Sequence, residues 1–333
     1  MCGIVGYVGN KGAKSFLIDG LSKLEYRGYD SAGIAVLDGT SISLVKQKGR
    51  LSNLEGALKN KSSEGTIGIG HTRWATHGEP SDRNSHPHKS SKGDIAVVHN
   101  GIIENYLELR KWLISEGYEF FSETDTEVVP NLIHYYYEGN LFDAVVKATK
   151  KLEGSYALGV VCGDEQDKLI AVRKDSPLIV GLGDGENFIA SDIPAVIKYT
   201  RDVYLLGDNE FVVMDRNGVS ILSANGERID KNIYKVTWSE DAAEKGGYDS
   251  FMLKEIHEQP KAIKDTISSR VSMENGVFFD DFKLSKQDLD NVDRVFIVAC
   301  GTAYHAGLMG KTLIERMAKI PVEVDIASEF RFR

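Results

Sequence analysis

The second residue of the chain, Cys2, follows the initiator methionine and precedes a glycine. Removal of Met1 would leave Cys2 with a free α-amine, whose pKa of about 7.7–8.0 lies close to the thiol value of about 8.5. Such an amine can take the thiol proton as the sulfur attacks an amide carbonyl, and can then return it to the leaving nitrogen. We therefore predict that Cys2 is a nucleophile, although a cysteine at this position in an arbitrary protein is usually just a chain start.

Asn100 and Gly101 come at the end of an apolar run within Val97–Asn105 (VVHNGIIEN). There a side-chain amide and a flexible backbone N–H can converge on one oxygen. A tetrahedral oxyanion requires such a pair, and losing one donor typically costs about 10²–10³ in rate. Taken alone, an Asn-Gly pair after a strand is most often a turn. Beside a nucleophilic cysteine, it predicts an oxyanion hole.

A polar loop is predicted at His71–Pro80 (HTRWATHGEP), directly after a strand. The residues of interest in it are Arg73, Trp74, Thr76 and His77. Arg73 suits the α-carboxylate of an amino acid, because a guanidinium holds a carboxylate through two parallel hydrogen bonds. The histidines of this loop, together with His86 and His88, lack a companion Cys or an acidic cluster at metal-ligand spacing. No metal site is therefore expected.

Two further segments add charge to the candidate site. In Ser122–Val128 (SETDTEV), Asp125 could accept a substrate ammonium group, or the segment could simply begin the next helix. In Leu24–Gly33 (LEYRGYDSAG), Arg27 and Gly28 fall at a predicted helix end, where a cationic loop could close over the site. The predicted site thus has a partner for each charged end of an amino acid.

These segments must be positioned by many short strands and a few helices. Apolar runs that alternate or are rich in Val and Ile predict strands. They are Ile4–Val8, Gly33–Leu37, Ser43–Lys48, Thr66–His71, Ile95–Asn100, Tyr156–Val161, Leu169–Arg173, Leu178–Leu182, Phe188–Ala190, Val203–Leu206 and Glu210–Asp215. Helices are predicted at Lys14–Glu25, Leu51–Lys59, Asn105–Glu116, Thr126–Tyr137 and Leu141–Lys151. Arg216–Gly218 predicts a hairpin turn. Clustered helices beside many strands favour an α+β layered sandwich.

The sequence pattern changes near residue 240, where the first predicted domain ends. A polar stretch with a Gly-Gly pair predicts a linker. A helix is predicted at Phe251–Arg270, with a break at Pro260. Asp293–Ala299 is an apolar run typical of a buried parallel strand, and it leads into a helix that ends near Lys319. Val322–Ile326 would begin the next strand, so the second domain resembles the opening of a parallel α/β fold.

The composition argues against a nucleic-acid-binding, a membrane-spanning or a disulfide-rich protein. The 333 residues carry a formal net charge of −9, which argues against a nucleic-acid surface. No apolar stretch approaches the ~18 residues of a membrane span, so no membrane association is expected. Three widely separated cysteines suit a reducing compartment better than a disulfide scaffold. We expect a cytoplasmic enzyme.

Together these motifs resemble those of class II glutamine amidotransferases, which are N-terminal-nucleophile (Ntn) hydrolases, and most closely those of the glucosamine-6-phosphate synthase family. The resemblance extends along essentially the whole chain. The matching segments are CGIVGYVG, LEYRGYDSAG, HTRWATHGEP, HNGIIEN, SETDTEV, GSYAL, GLGDGENFIASD, KEIHEQP, ACGTAYHAG and IASEFR.

The resemblance implies a role for each candidate residue. Cys2 would be the nucleophile, Asn100 and Gly101 the oxyanion hole, and Arg27 and Gly28 part of the loop that organises and covers the nucleophile. Glutamine would be bound by Arg73, Trp74, Thr76, His77 and Asp125. The tryptophan would also lie in the loop that gates the passage of ammonia.

The resemblance also implies the domains. A four-layer αββα Ntn-hydrolase sandwich would occupy residues 2–240, a linker 241–250, and the N-terminal part of a sugar isomerase (SIS) domain 251–333. Such domains hold phosphate at helix N-termini. Here Cys300–Ala303 is the corresponding element, with Thr302 as a phosphate ligand. Ala303 stands where the family often has Ser, so one phosphate hydroxyl would be missing.

The implied reaction is glutamine-dependent transfer of ammonia to fructose 6-phosphate, giving glucosamine 6-phosphate, without a cofactor and in a homodimer. The family's remaining isomerase residues would lie beyond Arg333, so we expect a piece of a longer protein that cannot make the sugar product alone. An amidophosphoribosyltransferase-type glutaminase is one alternative. Another is a sugar-phosphate-binding regulatory module with an inactive front domain.

Overall fold

The computed structural model describes residues 2–59, 65–237, 248, 251–268, 270–272, 276–277, 285–330 and 332. The chain divides into two units, Met1–Lys254 and Glu255–Arg333. Apart from Tyr248, the linker predicted at 241–250 lies outside the described residues. In the described part of the chain, no helix has both the length and the apolar character needed to span a bilayer.

The first unit contains two antiparallel sheets. Its strands are β1 (Gly3–Gly9), β2 (Ser31–Asp38), β3 (Ser41–Lys48), β4 (Ile67–Arg73), β5 (His88–Lys89), β6 (Ile95–Ile103), β7 (Gly154–Cys162), β8 (Leu169–Lys174), β9 (Ile179–Leu182), β10 (Glu186–Ala190), β11 (Asp202–Leu205), β12 (Phe211–Met214), β13 (Val219–Leu222) and β14 (Tyr234–Lys235). The larger sheet has the order β14-β11-β9-β10-β1-β4-β2-β3, and the smaller has β13-β12-β8-β7-β6-β5.

Helices cover the outer faces of both sheets. They are α1 (Ala13–Leu24), α2 (Leu51–Leu58), α3 (Tyr106–Ser115), α4 (Val128–Tyr136) and α5 (Leu141–Thr149). One apolar cluster joins α1 and α2 to the larger sheet, and another joins α3, α4 and α5 to the smaller sheet. A third cluster fills the space between the sheets. These layers confirm the predicted αββα sandwich.

Strand β1 shows why this arrangement needs a nearly continuous apolar run. Because side chains alternate across a strand, Ile4 and Val8 enter the core between the sheets, whereas Val5 and Tyr7 face α1. Both faces of the strand are buried. Its central place in the larger sheet fixes the position of the preceding residue, Cys2.

Most predicted elements are present, with ends displaced by a few residues. The hairpin turn is confirmed: β12 pairs with β13, and the Asp215 carboxylate accepts hydrogen bonds from the Asn217 and Gly218 N–H groups. The break predicted at Pro260 is wrong. Helix α6 runs through it from Phe251 to Ser268. Pro260 costs the helix one backbone hydrogen bond and a clash with the preceding turn, and the hydrogen bonds on either side maintain the helix.

The remaining elements are β15 (Val271–Ser272), β16 (Gly276–Val277), α7 (Lys286–Asp290), β17 (Val295–Ala299), α8 (Gly301–Met317), β18 (Val322–Ile326) and α9 (Ala327–Phe330). Strands β17 and β18 pair in parallel, as the apolar run predicted. Helix α8 connects them and packs Gly307 against Ile297 and Val324. This is a strand–helix–strand unit of the kind that builds parallel sheets.

Candidate functional site

A cavity of about 320 Å³ lies at the start of β1, the end of β4 and the last residues of β6. Eight residues singled out from the sequence line it, contributed by both sheets and their connecting loops. They are Cys2, Arg27, Arg73, Trp74, Thr76, Asn100, Gly101 and Asp125. The topology thus brings together segments that are more than one hundred residues apart.

The Cys2 thiol lies against the backbone of Trp74. The Trp74 N–H donates to Sγ at 3.2 Å, and the thiol faces the Trp74 carbonyl oxygen at 3.5 Å. Burial raises the pKa of Cys2, while the hydrogen bond from Trp74 and the charge of Arg73 oppose that rise. Because the thiol stays protonated near neutral pH, an attack by the sulfur requires a base.

The backbone of Cys2 is held as firmly as its side chain. Its carbonyl oxygen accepts hydrogen bonds from Arg27 Nε at 3.1 Å and from Asn100 Nδ2 at 3.0 Å. Arg27 in turn pairs with Asp192 at 3.2 Å. Gly28 is packed so closely that a Cβ there would lie 2.6 Å from the carbonyl carbon of Arg73. The 27–28 segment therefore fixes residue 2 and the end of β4 together.

The Asn100 amide has a partner for each of its polar atoms. Its Oδ1 is 2.9 Å from His71 Nε2, and its Nδ2 donates to the Cys2 carbonyl and to Ser191 Oγ, each at 3.0 Å. Gly101 has φ of +128°, and a Cβ there would lie 2.0 Å from the Ser155 carbonyl oxygen. Only glycine fits this position, because the conformation and the close approach both exclude a side chain.

Arg73 and Asp125 place opposite charges on the cavity wall, and both are almost fully buried. Arg73 Nη2 donates to the carbonyls of His77 and Gly78, whereas its Nη1 is buried and has no hydrogen-bond partner among the described residues. The Asp125 carboxylate accepts from the Ile103 N–H at 2.8 Å. It does not cap α4, since that helix has no side-chain cap.

The other three residues predicted to bind glutamine do not all line the cavity. The Trp74 ring is half exposed and packs edge-on against Tyr29, with centroids 5.5 Å apart. Thr76 lines the cavity. His77 does not line it: its ring packs against Tyr106, and its carbonyl supports Arg73. The structure therefore gives His77 a supporting contact beside the cavity.

A buried cluster of four histidines adjoins the cavity: His86 and His99 line it, and His71 and His88 lie behind them. The His71 and His86 rings are stacked with centroids 4.2 Å apart. His99 Nδ1 is 2.7 Å from Thr126 Oγ1, and His88 Nε2 is 3.1 Å from Thr124 Oγ1. Burial lowers the pKa of all four rings, which are therefore neutral near pH 7.

The sequence did not single out several residues that complete the site. Ser191 accepts from Asn100 and from the Ile4 N–H, so it ties β1 to the amide. Ser155 and Ser176 line the cavity. His71 contacts the amide from the neighbouring sheet. His71 pairs with Ile4 across β1 and β4, so its place beside the site can be recognised only when the register of these strands is known.

Thr302 belongs to the second unit. It is exposed in the first turn of α8, whose N-cap is Cys300. The backbone N–H groups of that turn have no side-chain cap. Uncapped N–H groups at a helix N-terminus are the local geometry that binds phosphate.

Comparison with known proteins identifies two domains. A family model described as a glutamine amidotransferase domain matches residues 71–198, and a SIS domain model matches residues 288–333. The first match contains the end of β4, all of β6 and most of the residues that line the cavity, although Cys2 and Arg27 precede it.

Curated relatives align with the whole chain. It is 67% identical over 333 residues to a protein of Clostridium perfringens, 50% identical over 345 residues to one of Methanosarcina mazei, and 49% identical over 333 residues to one of Thermus thermophilus. All three are named glutamine–fructose-6-phosphate aminotransferase [isomerizing]. The chain spans about half of their length, at 55%, 56% and 54% respectively.

Solved structures share the fold. A structure titled as the allosteric regulatory enzyme of purine biosynthesis has a TM-score of 0.59 at 26% identity, covering 70% of this chain and 50% of that one. The glutamine phosphoribosylpyrophosphate amidotransferase of Bacillus subtilis also has a TM-score of 0.59, at 22% identity, covering 97% of this chain and 65% of that one.

Proposed function

The chain carries a glutamine amidotransferase domain followed by the start of a SIS domain, and from that premise we propose that its first unit hydrolyses the side-chain amide of L-glutamine. The observation that supports this most is the single cavity in which Cys2, Asn100, Arg73 and Asp125 meet. A nucleophile, an amide donor and partners for both charged ends of an amino acid are the groups that this reaction needs.

The reaction begins with removal of Met1, which frees the α-amine of Cys2. This amine takes the thiol proton while the sulfur bonds to the amide carbon of glutamine. The carbonyl oxygen of glutamine becomes an oxyanion. It accepts a hydrogen bond from Asn100 Nδ2, in place of the Cys2 carbonyl or Ser191, and a second one from the Gly101 N–H. The amine then gives its proton to the leaving nitrogen, the C–N bond breaks, and ammonia departs. Water cleaves the resulting thioester, which yields glutamate and restores the thiol.

Glutamine is recognised through its α-carboxylate and α-ammonium groups. The unpartnered Nη1 of Arg73 offers a buried donor for the carboxylate, and Asp125 accepts from the ammonium. Burial lowers the pKa of Arg73, whereas the charges of Cys2, Asp125 and Asp30 raise it. A bound carboxylate would compensate the buried positive charge, so the site selects a zwitterionic amino acid.

Replacing Arg73 with lysine should raise the KM for glutamine by about 10- to 100-fold with a smaller effect on kcat. A point charge cannot reproduce a bidentate pair, and charge-assisted hydrogen bonds contribute about 1.5–3 kcal/mol. Initial rates of glutamate release across a range of glutamine concentrations measure this. Arg83→Lys, an identical change at an exposed position, is the control. An unchanged KM in Arg73→Lys would remove this residue from the glutamine site.

For the whole protein, the acceptor of the ammonia is proposed to be fructose 6-phosphate, because the full-length relatives carry that substrate in their name. Ammonia in bulk water at pH 7 becomes ammonium, so delivery through a closed passage would preserve its reactivity. Thr302 would contribute to the sugar-phosphate site. From the same resemblance, we propose that the whole protein is a cytoplasmic homodimer.

The two alternatives have weaker support. The amidophosphoribosyltransferase type is named only for a solved structure that shares the fold at 22% identity, whereas the curated relatives are 49–67% identical. An inactive front domain conflicts with a cavity in which the nucleophile, amide and charged groups are all present.

A further inference from the structure

His71 reaches from one sheet to the other behind the Asn100 amide, which lines the cavity. It lies on β4 in the larger sheet and is fully buried. Its Nε2 is 3.0 Å from the His99 carbonyl oxygen and 2.9 Å from Asn100 Oδ1, both on β6 in the smaller sheet. One ring nitrogen therefore contacts the backbone and the side chain of consecutive residues.

These contacts determine where the ring carries its proton. A backbone carbonyl oxygen can only accept, so Nε2 must be the protonated nitrogen. Nδ1 is buried and has no hydrogen-bond partner among the described residues. Burial also lowers the pKa of His71 to about 3, which keeps the ring neutral. The ring is thus a fixed Nε2–H donor at physiological pH.

We propose that His71 is a positioning residue that orients the Asn100 amide, so that its nitrogen rather than its oxygen faces Cys2. This rests on the glutaminase function proposed above. A flipped amide would place Nδ2 against the Nε2–H of His71, donor against donor, and Oδ1 against the Cys2 carbonyl oxygen. Ser191 cannot enforce the choice, because a hydroxyl can donate or accept.

The contribution of His71 is greatest during the reaction. When an oxyanion forms, Asn100 must exchange one of its two acceptors, the Cys2 carbonyl or Ser191, for the developing charge. The bond from His71 to Oδ1 is on the opposite side of the amide and remains throughout. The His86 ring, stacked on His71 at an interplanar angle of 17°, restricts the ring that supplies this bond.

The test compares two amide side chains of different reach. In His71→Gln, the side-chain nitrogen falls near the position of histidine Nε2 and keeps the donor. In His71→Asn, it falls near Nδ1 and cannot reach Asn100. We expect His71→Asn to lower kcat for glutamine hydrolysis about 10- to 100-fold with little change in KM, since small misplacements cost up to 10² in rate. His71→Gln should retain most of kcat.

Two further variants separate orientation from general damage. His88→Asn truncates another buried histidine of the same cluster, which contacts Thr124 and not the amide, and should lower kcat less than His71→Asn. In an Asn100→Ala background, His71→Asn should cause no further loss of kcat, because the amide that it orients is gone.

Equal kcat values for His71→Asn and His71→Gln would overturn the inference, and so would an additive loss in the Asn100→Ala background. The proposed function is tested separately by Cys2→Ala. If Cys2→Ala abolishes hydrolysis while His71→Asn retains the original kcat, only the positioning role is wrong. If hydrolysis survives Cys2→Ala, the proposed function itself fails.

Discussion

Replacing Cys2 with alanine is expected to lower the rate of glutamine hydrolysis by roughly 10³-fold or more, because no other group in the cavity can form the thioester. The change should leave the fold intact. Arg27 and Asn100 hold the carbonyl oxygen of residue 2, which alanine retains, and only the contacts of Sγ with Trp74 are lost. Glutamate release and a thermal unfolding curve measure the two effects.

A matched control exists in the second unit. Cys300 is exposed, whereas Cys2 is half buried. An assignment based on accessibility alone would make Cys300 the more reactive thiol. We expect Cys300→Ala to hydrolyse glutamine at the original rate. A Cys2→Ala variant that remains folded and active would refute the assignment of the nucleophile.

Asn100→Asp is expected to lower kcat about 10²–10³-fold, the usual effect of losing one oxyanion donor. The substitution is nearly isosteric and keeps an oxygen for His71 to donate to. It replaces Nδ2, which donates to the Cys2 carbonyl and to Ser191, with an oxygen that cannot donate when ionised. Its negative charge would also repel the developing oxyanion.

The control for this substitution is Asn105→Asp, the same chemical change five residues later. Asn105 bonds to the backbone of Lys151 and Glu153, and it does not line the cavity. Its substitution should leave kcat within a few-fold of the original value. Comparable losses in both variants would mean that Asn100 acts through stability rather than through the oxyanion.

The sequence alone predicted the layers of the fold because hydrophobic alternation is a local property. Strand β1 illustrates this, since Ile4 and Val5 already indicate two buried faces. The order of strands in each sheet was not predictable in this way. Residue 2 meets Asn100 because β1 and β4 are neighbours in one sheet and β6 lies opposite, and no short-range pattern encodes that arrangement.

Residue type and chemistry singled out Cys2 and Arg73 in the sequence, and the structure places both on the cavity wall. Supporting residues were missed because their roles depend on contacts across the sheets. His71 lies in a strand and Ser191 directly follows one, neither stands out in the sequence, and only the folded chain places both against one amide. His77 shows the converse: it belongs to a motif but lies beside the cavity, where its backbone carbonyl accepts a hydrogen bond from Arg73.

The central claim is that the α-amine of Cys2 serves as the base for its own thiol. Intact mass, measured on the same preparation as the rate of glutamate release, tests it most directly. We predict that active protein begins at Cys2, and that a variant in which Met1 is retained, because processing is blocked, hydrolyses glutamine at a small fraction of that rate. Full activity in protein that still carries Met1 would contradict the mechanism.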